Sequence, residues 1–249
     1  MPLNIRWPRY MKPSQLASRA LVLVGAVALA AGSVSCSTSR ASVTVAGSTS
    51  VQPFVEMLAE EYAGPHPDVS VNVQGGGSSA GIEAAVSGAA QIGMSSRELK
   101  GDEVRLHRIE IARDAIAVVV HPSNPISGLT TDQLQGIFTG RIRRWSEVGG
   151  RDATIVVVTR EEGSGTRGAF QELVLGKGLD VDPGALVQDS NGAVRQLVAS
   201  DPNAIGYVSL GLVNSEVKAL QIDGVTASDD EVTAGRYRLV RPFLFVTRD

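Results

Sequence analysis

Three clusters of glycine, serine and threonine each stand where a β-branched run ends and a helical pattern begins. Backbone N–H groups in the first turn of a helix have no intrahelical partner, and the helix dipole is positive there. Such junctions therefore attract anions. Histidines and acidic residues are few beside them, which favours capture of an oxyanion over reaction with it. The clusters are Gly47-Ser48-Thr49-Ser50, Gly75-Gly76-Gly77-Ser78-Ser79 and Arg160-Glu161-Glu162-Gly163-Ser164-Gly165-Thr166-Arg167.

A simpler explanation of these hydroxyl groups is helix capping, which serine and threonine do in many proteins. The glycines could likewise serve tight turns, and Arg160 could form a surface ion pair with Glu161 or Glu162. Three such clusters in one chain favour a shared anion site. Capping explains Ser190-Asn191 better than binding does.

Reaction chemistry has little support in this sequence. Gly163-Ser164-Gly165 is not the Gly-x-Ser-x-Gly elbow of hydrolases, and Gly163 to Arg167 lacks the Gly-Lys-Ser/Thr ending of a nucleotide-binding loop. None of the three histidines stands beside a clustered serine, and the spacing of metal ligands is absent. We therefore predict a binding protein without cofactor or metal, with a secreted phosphatase or hydrolase as an alternative.

The elements that must position these clusters alternate between strand and helix along the chain. This order predicts an α/β fold with a mostly parallel sheet. Ile116 to Val120 and Ala204 to Val208 are apolar runs typical of buried strands. Arg238 to Val246 is predicted as a terminal strand, in which Pro242 indicates an edge or a bulge.

Residues 1–35 have the composition of a signal peptide. Four basic residues and no acidic residue precede or flank an uncharged stretch from Ala20 to Gly32. This stretch is shorter than the roughly 20 apolar residues of a membrane span. Cys36 is the only cysteine, so no internal disulfide can form, and its position resembles the lipidation site of bacterial lipoproteins. The alternative is a secreted protein cut nearby, in which Cys36 has no role.

The remainder of the chain is acidic. Residues 36–249 contain 19 of the 23 basic residues and all 26 acidic residues, which gives a formal net charge of −7. Nucleic acid is therefore not expected as a partner, because its binding needs a basic face. Anion capture must depend on local donors rather than on the field of the whole protein.

The set of motifs resembles the phosphate-binding proteins of bacterial ABC importers. The resemblance extends from about residue 43 to the end of the chain. The motifs that carry it are Ala46 to Val51, Gln74 to Ser79, Ile92 to Arg97, Ile137-Phe138-Thr139-Gly140, Trp145, Arg160 to Arg167 and Ala204 to Val208.

The resemblance implies a two-lobed, type II periplasmic-binding-protein fold, in which each lobe is a mixed, mostly parallel sheet flanked by helices. Residues 36–41 would be the lipidated cysteine and a tether. Lobe 1 would comprise residues 42–116 and 207–249, and lobe 2 residues 117–206. The ligand would lie in the cleft between the lobes, which close by a hinge motion.

The resemblance also implies which residues hold phosphate. Better-known members have an aspartate at the position of Ser96, which accepts a proton from the bound phosphate and so disfavours sulfate. Glu162 would orient the binding arginine, Arg160. The expected ligand-binding residues are Thr49, Ser50, Ser78, Ser96, Arg160, Ser164, Gly165 and Thr166, with Ser48, Ser79 and Arg97 as further candidates.

The function implied is extracytoplasmic capture of inorganic phosphate and its delivery to the permease subunits of a membrane ABC importer. The protein would be a monomer, held at the cell surface or in the periplasm by a lipid anchor on Cys36. A binding protein for sulfate or molybdate is an alternative, because the serine at position 96 leaves the rejection of sulfate unexplained.

Overall fold

The computed structural model describes residues 40–248, so the predicted signal peptide and Cys36 lie outside the described part of the chain. The strands are β1 (Ala41–Gly47), β2 (Val69–Gly75), β3 (Ile92–Ser95), β4 (His107–Val120), β5 (Gly128–Leu129), β6 (Val156–Arg160), β7 (Leu186–Gln188), β8 (Ala204–Ser209), β9 (Lys218–Ala219), β10 (Gln221–Ile222) and β11 (Val240–Thr247). The helices are α1 (Gln52–Ala63), α2 (Ser78–Ser87), α3 (Thr131–Phe138), α4 (Gly165–Phe170), α5 (Asn191–Ser200) and α6 (Asp229–Thr233). Short 3₁₀ turns cover Gly101–Arg105, Trp145–Val148 and Leu210–Leu212, and a π turn over Gln171–Leu175 extends α4.

The main sheet is mixed, which agrees with the predicted α/β class. Its order is β2-β1-β3-β11-β4-β8-β6-β7, and the short β9 also pairs with β4. β1 lies parallel to β2 and β3, with Gly47 opposite both Gly75 and Met94. The carboxyl ends of these three strands therefore lie side by side, and the first two clusters follow directly from them. β6 is parallel to β7 and β8 and leads into the third cluster.

β4 is longer than the predicted strand and links two parts of the sheet. Its first part, from His107 to Ala115, pairs with β11, whereas Ile116 to Val120 pair with β8. The sequence signal covered only the second part, because that part is wholly buried and apolar. The residues from His107 to Arg113 mix charged and apolar types and are mostly exposed.

The terminal strand β11 is central rather than at an edge, because it lies between β3 and β4. Its pairing with β4 shifts in register between Phe243 and Leu244, one residue beyond Pro242. Proline has no N–H to donate to a ladder, and a bulge accommodates that loss. The expected irregularity is therefore present, but not at an edge.

The apolar side chains form one large core and two smaller ones. The large core surrounds the second part of β4 together with β8, α3 and α5. One small core lies between α1 and the strands β1, β3 and β11, and another includes Ile82 and Leu244.

The two-lobe division stays a proposal. Because Val217, Leu220 and Leu239 belong to the large core, we propose that the return to the first lobe occurs near Val240.

Among residues 40–248, no helix has the length and apolar composition needed to cross a bilayer.

Candidate functional site

The first junction, between β1 and α1, presents hydroxyl groups that do not cap the helix. The N-cap position of α1 is Val51, and no side chain caps it. Ser48 Oγ instead accepts a hydrogen bond from the Ser50 N–H at 3.2 Å and donates to Ser96 Oγ at 2.8 Å. Ser48 and Ser50 are both buried. Capping, the simpler explanation offered by the sequence, therefore does not account for these serines.

The second junction, between β2 and α2, behaves in the same way. Gly77 occupies the N-cap position of α2, again without a side-chain cap. Ser78 Oγ is wholly buried, accepts a hydrogen bond from the Ser96 N–H at 3.0 Å and lies 3.4 Å from Ser96 Oγ. The half-buried Ser79 donates its N–H to the Gly163 carbonyl at 3.1 Å. The second junction thus contacts both β3 and the third junction.

The third junction, between β6 and α4, does contain a helix cap. Ser164 occupies the N-cap position, and its Oγ accepts a hydrogen bond from the Arg167 N–H at 3.2 Å. Gly165 follows, and a Cβ at this position would overlap Ser78 Oγ and lie 2.6 Å from Ser96 Oγ. Glycine is therefore the residue that lets the two junctions approach so closely. Thr166 Oγ1 lies 2.9 Å from Ser50 Oγ, across from the first junction.

The three junctions meet in one buried set of side chains, which we call the hydroxyl cluster. Each member is 2 % exposed or less. Side-chain contacts of 2.8–3.4 Å and the Ser50 N–H to Ser48 Oγ hydrogen bond link them. Its members are Ser48, Ser50, Ser78, Ser96 and Thr166.

Arg160, at the end of β6, is the cation predicted for this site, and only 1 % of it is exposed. It is therefore not part of a surface ion pair. Its Nε and Nη2 both donate to Glu161 at 2.9 Å, and they also donate to the carbonyls of Gln188 and Asp189. Within residues 40–248, the buried side-chain nitrogen and oxygen atoms without a hydrogen-bond partner are Arg160 Nη1 and Arg167 Nε. A buried donor without a partner costs free energy, and a bound oxyanion would satisfy it.

A model of one protein family, described as a PBP superfamily domain, matches residues 33–249. This chain belongs to the PBP superfamily.

Several relatives within the PBP superfamily are similar to this chain over most of its length. The phosphate-binding protein PstS of Bacillus subtilis (strain 168) is 37% identical over 201 residues, which cover 79% of this chain and 66% of that protein. A phosphate ABC transporter substrate-binding protein from Clostridium perfringens, whose crystal structure contains phosphate, is 46% identical with a TM-score of 0.81. That match covers 84% of this chain and 86% of the other. An ABC-type phosphate transport receptor from Vibrio cholerae is 42% identical with a TM-score of 0.69, over 83% and 87% of the two chains. The resemblance predicted from the motifs is confirmed.

One role carried over from the phosphate-binding proteins is wrong in this PBP superfamily member. The acid that orients Arg160 is Glu161, whose two carboxylate oxygens accept from Arg160 Nε and Nη2. Glu162 is exposed and makes no ion pair in the part of the chain that the structure describes. The Glu161 N–H donates to the Gln188 carbonyl, so Glu161 continues the pairing of β6 with β7 beyond Arg160, and Glu162 lies in the turn.

Arg97, a further candidate, is bonded elsewhere. Its Nη1 and Nη2 donate to the two oxygens of Glu103 at 2.7 and 3.0 Å. Nη1 also donates to the Glu98 carbonyl, and Nη2 to Ser79 Oγ at 3.2 Å. The Arg97 guanidinium therefore positions the second junction through Ser79.

Asn191 is a site residue that the sequence interpretation missed. Ser190 caps α5 as expected, but the buried Asn191 reaches the first junction. Its Nδ2 donates to Thr49 Oγ1 at 3.0 Å and to Ser50 Oγ at 2.9 Å. Thr49, which is half-buried, therefore contacts the site through Asn191.

A buried ion pair between Asp114 and Arg241 was also missed. Arg241 Nε and Nη2 donate to Asp114 Oδ2 at 3.0 and 2.8 Å, and Ser209 Oγ donates to Asp114 Oδ1 at 2.7 Å. Burial raises the pKa of the Asp114 carboxyl, and the Arg241 guanidinium opposes that shift. Arg241 also donates to Ser50 Oγ at 3.0 Å and to the Ser96 carbonyl at 3.4 Å. No sequence pattern joins these residues, because Asp114 and Arg241 lie in different strands.

Proposed function

We propose that this protein captures inorganic phosphate outside the cytoplasm and delivers it to the permease subunits of a membrane ABC importer. The observation that carries the proposal is the buried Arg160, whose Nη1 has no hydrogen-bond partner within residues 40–248. It belongs to the same junction as Thr166, a member of the hydroxyl cluster. Relatives at 37–46% identity are described as phosphate-binding or phosphate-transport proteins, which supports phosphate as the ligand.

The hydroxyl groups suit an oxyanion because backbone N–H groups occupy their acceptor positions. Ser48 accepts from the Ser50 N–H, Ser78 from the Ser96 N–H and Ser164 from the Arg167 N–H. A hydroxyl that already accepts one fixed hydrogen bond can turn its hydrogen toward an anion. The site can thus offer several donors without burying several unpaired cations.

The number of donors is sufficient for useful affinity. Phosphate loses a large hydration energy when it leaves water, and hydrogen bonds to charged groups contribute roughly 1.5–3 kcal/mol each. Six or more such bonds, less the entropy lost on binding, support an affinity of about micromolar or tighter. In this proposal the ligand oxygens replace contacts that the hydroxyl groups now make with one another.

We also propose that two lobes close over the ligand. The contacts that would then join the lobes include Ser50 Oγ with Thr166 Oγ1, the Ser79 N–H with the Gly163 carbonyl, and Asn191 Nδ2 with Thr49 Oγ1 and Ser50 Oγ. Each contact involves a residue of a junction. Closure and ligand binding would therefore share the same side chains.

We propose no catalytic activity. His66 stacks on Tyr62, and His121 Nδ1 contacts Ser123 Oγ at 2.8 Å. His107 begins β4 and is exposed. Each histidine thus lies outside the hydroxyl cluster. Hydrolysis of a phosphate ester that Ser164→Ala abolishes would contradict this part of the proposal.

A second candidate is a binding protein for another oxyanion, and Ser96 is the observation that favours it. Ser96 is wholly buried within the cluster and carries a neutral hydroxyl. A carboxylate there would accept a proton from phosphate and repel sulfate, whereas a hydroxyl can donate to either anion.

Isothermal titration of the purified chain with phosphate, sulfate and molybdate separates these two candidates. We expect one phosphate per chain, with a dissociation constant of about micromolar or below. Sulfate or molybdate that binds as tightly as phosphate would overturn the phosphate assignment and leave the oxyanion site in place.

The membrane anchor is a separate proposal, motivated by the position of Cys36 after the apolar stretch Ala20 to Gly32. Mass spectrometry of the native N-terminus should show an acylated cysteine at residue 36. An unmodified, freely secreted form would contradict the anchor without affecting the anion site.

A further inference from the structure

Ser50 Oγ has three side-chain neighbours at hydrogen-bond distance. They are Arg241 Nη2 at 3.0 Å, Asn191 Nδ2 at 2.9 Å and Thr166 Oγ1 at 2.9 Å. A serine hydroxyl has one hydrogen to donate and two lone pairs that accept. Arginine nitrogens can only donate, and so can the nitrogen of an amide. Arg241 and Asn191 therefore occupy both acceptor positions of Ser50.

The orientation of the Asn191 amide follows from its other contact. Asn191 Oδ1 accepts a hydrogen bond from the Ser209 N–H at 3.2 Å. A backbone N–H can only donate, so the oxygen of the amide must face Ser209 and its nitrogen must face Ser50. The same nitrogen reaches Thr49 Oγ1 at 3.0 Å.

The second donor, Arg241, is held rigidly. All three of its guanidinium nitrogens make hydrogen bonds, to Asp114 Oδ2, the Ser96 carbonyl and Ser50 Oγ. The side chains of Arg241 and Asp114 are only 1 % and 6 % exposed. Contacts within the protein therefore hold Arg241 toward Ser50.

We infer that Asn191 and Arg241 are positioning residues, which make Ser50 an obligatory hydrogen-bond donor, so that the bound anion receives a hydrogen bond either from Ser50 itself or from Thr166. With both lone pairs of Ser50 occupied, its hydrogen points to Thr166 Oγ1 or to the ligand. When Thr166 accepts that hydrogen, its own hydroxyl is turned outward as a donor. The inference rests on the proposed function and adds two residues to it that no comparison assigns.

Asn191→Asp tests the inference, because the substitution keeps the shape and inverts the polarity toward Ser50. The carboxylate still accepts from the Ser209 N–H, but its second oxygen draws the Ser50 hydrogen away from the anion. We expect the dissociation constant for inorganic phosphate to rise by at least about tenfold, a loss of roughly 1.4 kcal/mol. The Asp114–Arg241 pair is untouched.

Asn72→Asp is the matched control. Asn72 is exposed on β2, and its Nδ2 also donates to a serine hydroxyl, Ser42 Oγ at 2.8 Å. The substitution introduces the same charge away from the hydroxyl cluster. We expect its phosphate affinity to stay within about twofold of the original chain, because surface charges are screened by salt.

A double-mutant cycle with Ser50→Ala separates positioning from charge repulsion. If Asn191 acts through Ser50, Asn191→Asp should cost less than about threefold in the Ser50→Ala background, against about tenfold alone. Equal costs in both backgrounds would overturn the inference, because the carboxylate would then act by its charge. The same cycle with Arg241→Lys tests the second donor, since lysine cannot hold Asp114 and Ser50 in one planar fork.

Titration of the unsubstituted chain distinguishes failure of this inference from failure of the proposed function. If the chain binds phosphate but the double-mutant cycle is additive, only the positioning roles of Asn191 and Arg241 are overturned. If sulfate or molybdate binds instead of phosphate, the cycle is measured with that anion and judged by the same criterion. Absence of binding to all three anions would overturn both proposals.

Discussion

Arg160 and Arg241, two buried arginines of the candidate site, differ in how their guanidinium nitrogens are satisfied. Both pair with a carboxylate, Glu161 in one case and Asp114 in the other. Arg241 has a partner for each of its three nitrogens, whereas Arg160 Nη1 has none within residues 40–248. A saturated arginine can only position its neighbours, and an arginine with a free buried donor can bind a ligand.

The largest expected effect comes from removing the carboxylate of the saturated pair. Asp114→Ala leaves Arg241 buried without its counter-ion, and breaking a buried pair costs about 3–5 kcal/mol. Urea denaturation of the ligand-free protein should show this loss in the free energy of unfolding. Asp152→Ala is the control, because Asp152 pairs with Arg144 on the surface, and it should change stability little. Equal midpoints for the two variants would show that the buried pair does not stabilise the fold.

The next effect is the loss of ligand affinity when the arginine with the free buried donor is removed. Arg160→Ala should raise the dissociation constant for phosphate at least tenfold, through loss of a charge-assisted hydrogen bond worth about 1.5 kcal/mol or more. Arg144→Ala, which removes an exposed arginine, should leave the affinity unchanged. Titration calorimetry gives both values. Unchanged affinity of the Arg160→Ala variant would remove this residue from the site.

A smaller effect distinguishes the two acids that follow Arg160. Glu161→Gln should weaken phosphate binding several-fold, because one oxygen of the pair becomes an amide that cannot accept from Arg160. Glu162→Gln should leave affinity unchanged, since Glu162 is exposed in the turn. The same titrations measure both variants. A larger loss from Glu162→Gln would restore the orienting role that the family resemblance implied.

The smallest effect concerns the pair of the buried Arg97 and the partly buried Glu103. Hydrogen bonding to Arg97 lowers the pKa of Glu103 below its ordinary value of 4.5. A lowered folded-state pKa means that the stabilisation is fully present above about pH 4.5 and is lost as the pH falls through the folded-state value. Glu103→Gln should therefore lower the melting temperature slightly at pH 7 and not at low pH. A difference that persists at low pH would assign the effect to packing instead of charge.

The sequence identified four residues of the hydroxyl cluster, Ser48, Ser50, Ser78 and Thr166, from its strand-to-helix junctions, and Ser96 from the family resemblance. Gly47 pairs with both Gly75 and Met94, so parallel pairing alone brings Ser48, Ser78 and Ser96 together. The third junction packs against the second at Gly165, whose lack of a side chain permits contact with Ser78. The local pattern therefore identified the residues of the three junctions, whereas Ser96 needed the resemblance.

The rest of the site depends on contacts that no local pattern encodes. Arg241 lies 191 residues from Ser50 in the sequence, and Asn191 lies 141 residues from it. Asn191 directly follows Ser190, which caps the helix. Capping explained the Ser190-Asn191 pair in the sequence, so the contact of Asn191 with the first junction was not expected. The sequence could not show whether Glu161 or Glu162 pairs with Arg160. Glu161 does so because its N–H continues the strand pairing with Gln188, which keeps it beside Arg160.

A crystal structure of the full chain with phosphate tests the central claim most directly. The account predicts phosphate bound by the hydroxyl cluster, with an oxygen about 2.7–2.9 Å from Arg160 Nη1. Arg241 should keep its bonds to Asp114 and Ser50 and make no direct contact with phosphate. Phosphate bound away from the cluster, or held by Arg241 while Arg160 Nη1 stays without a partner, would contradict the account.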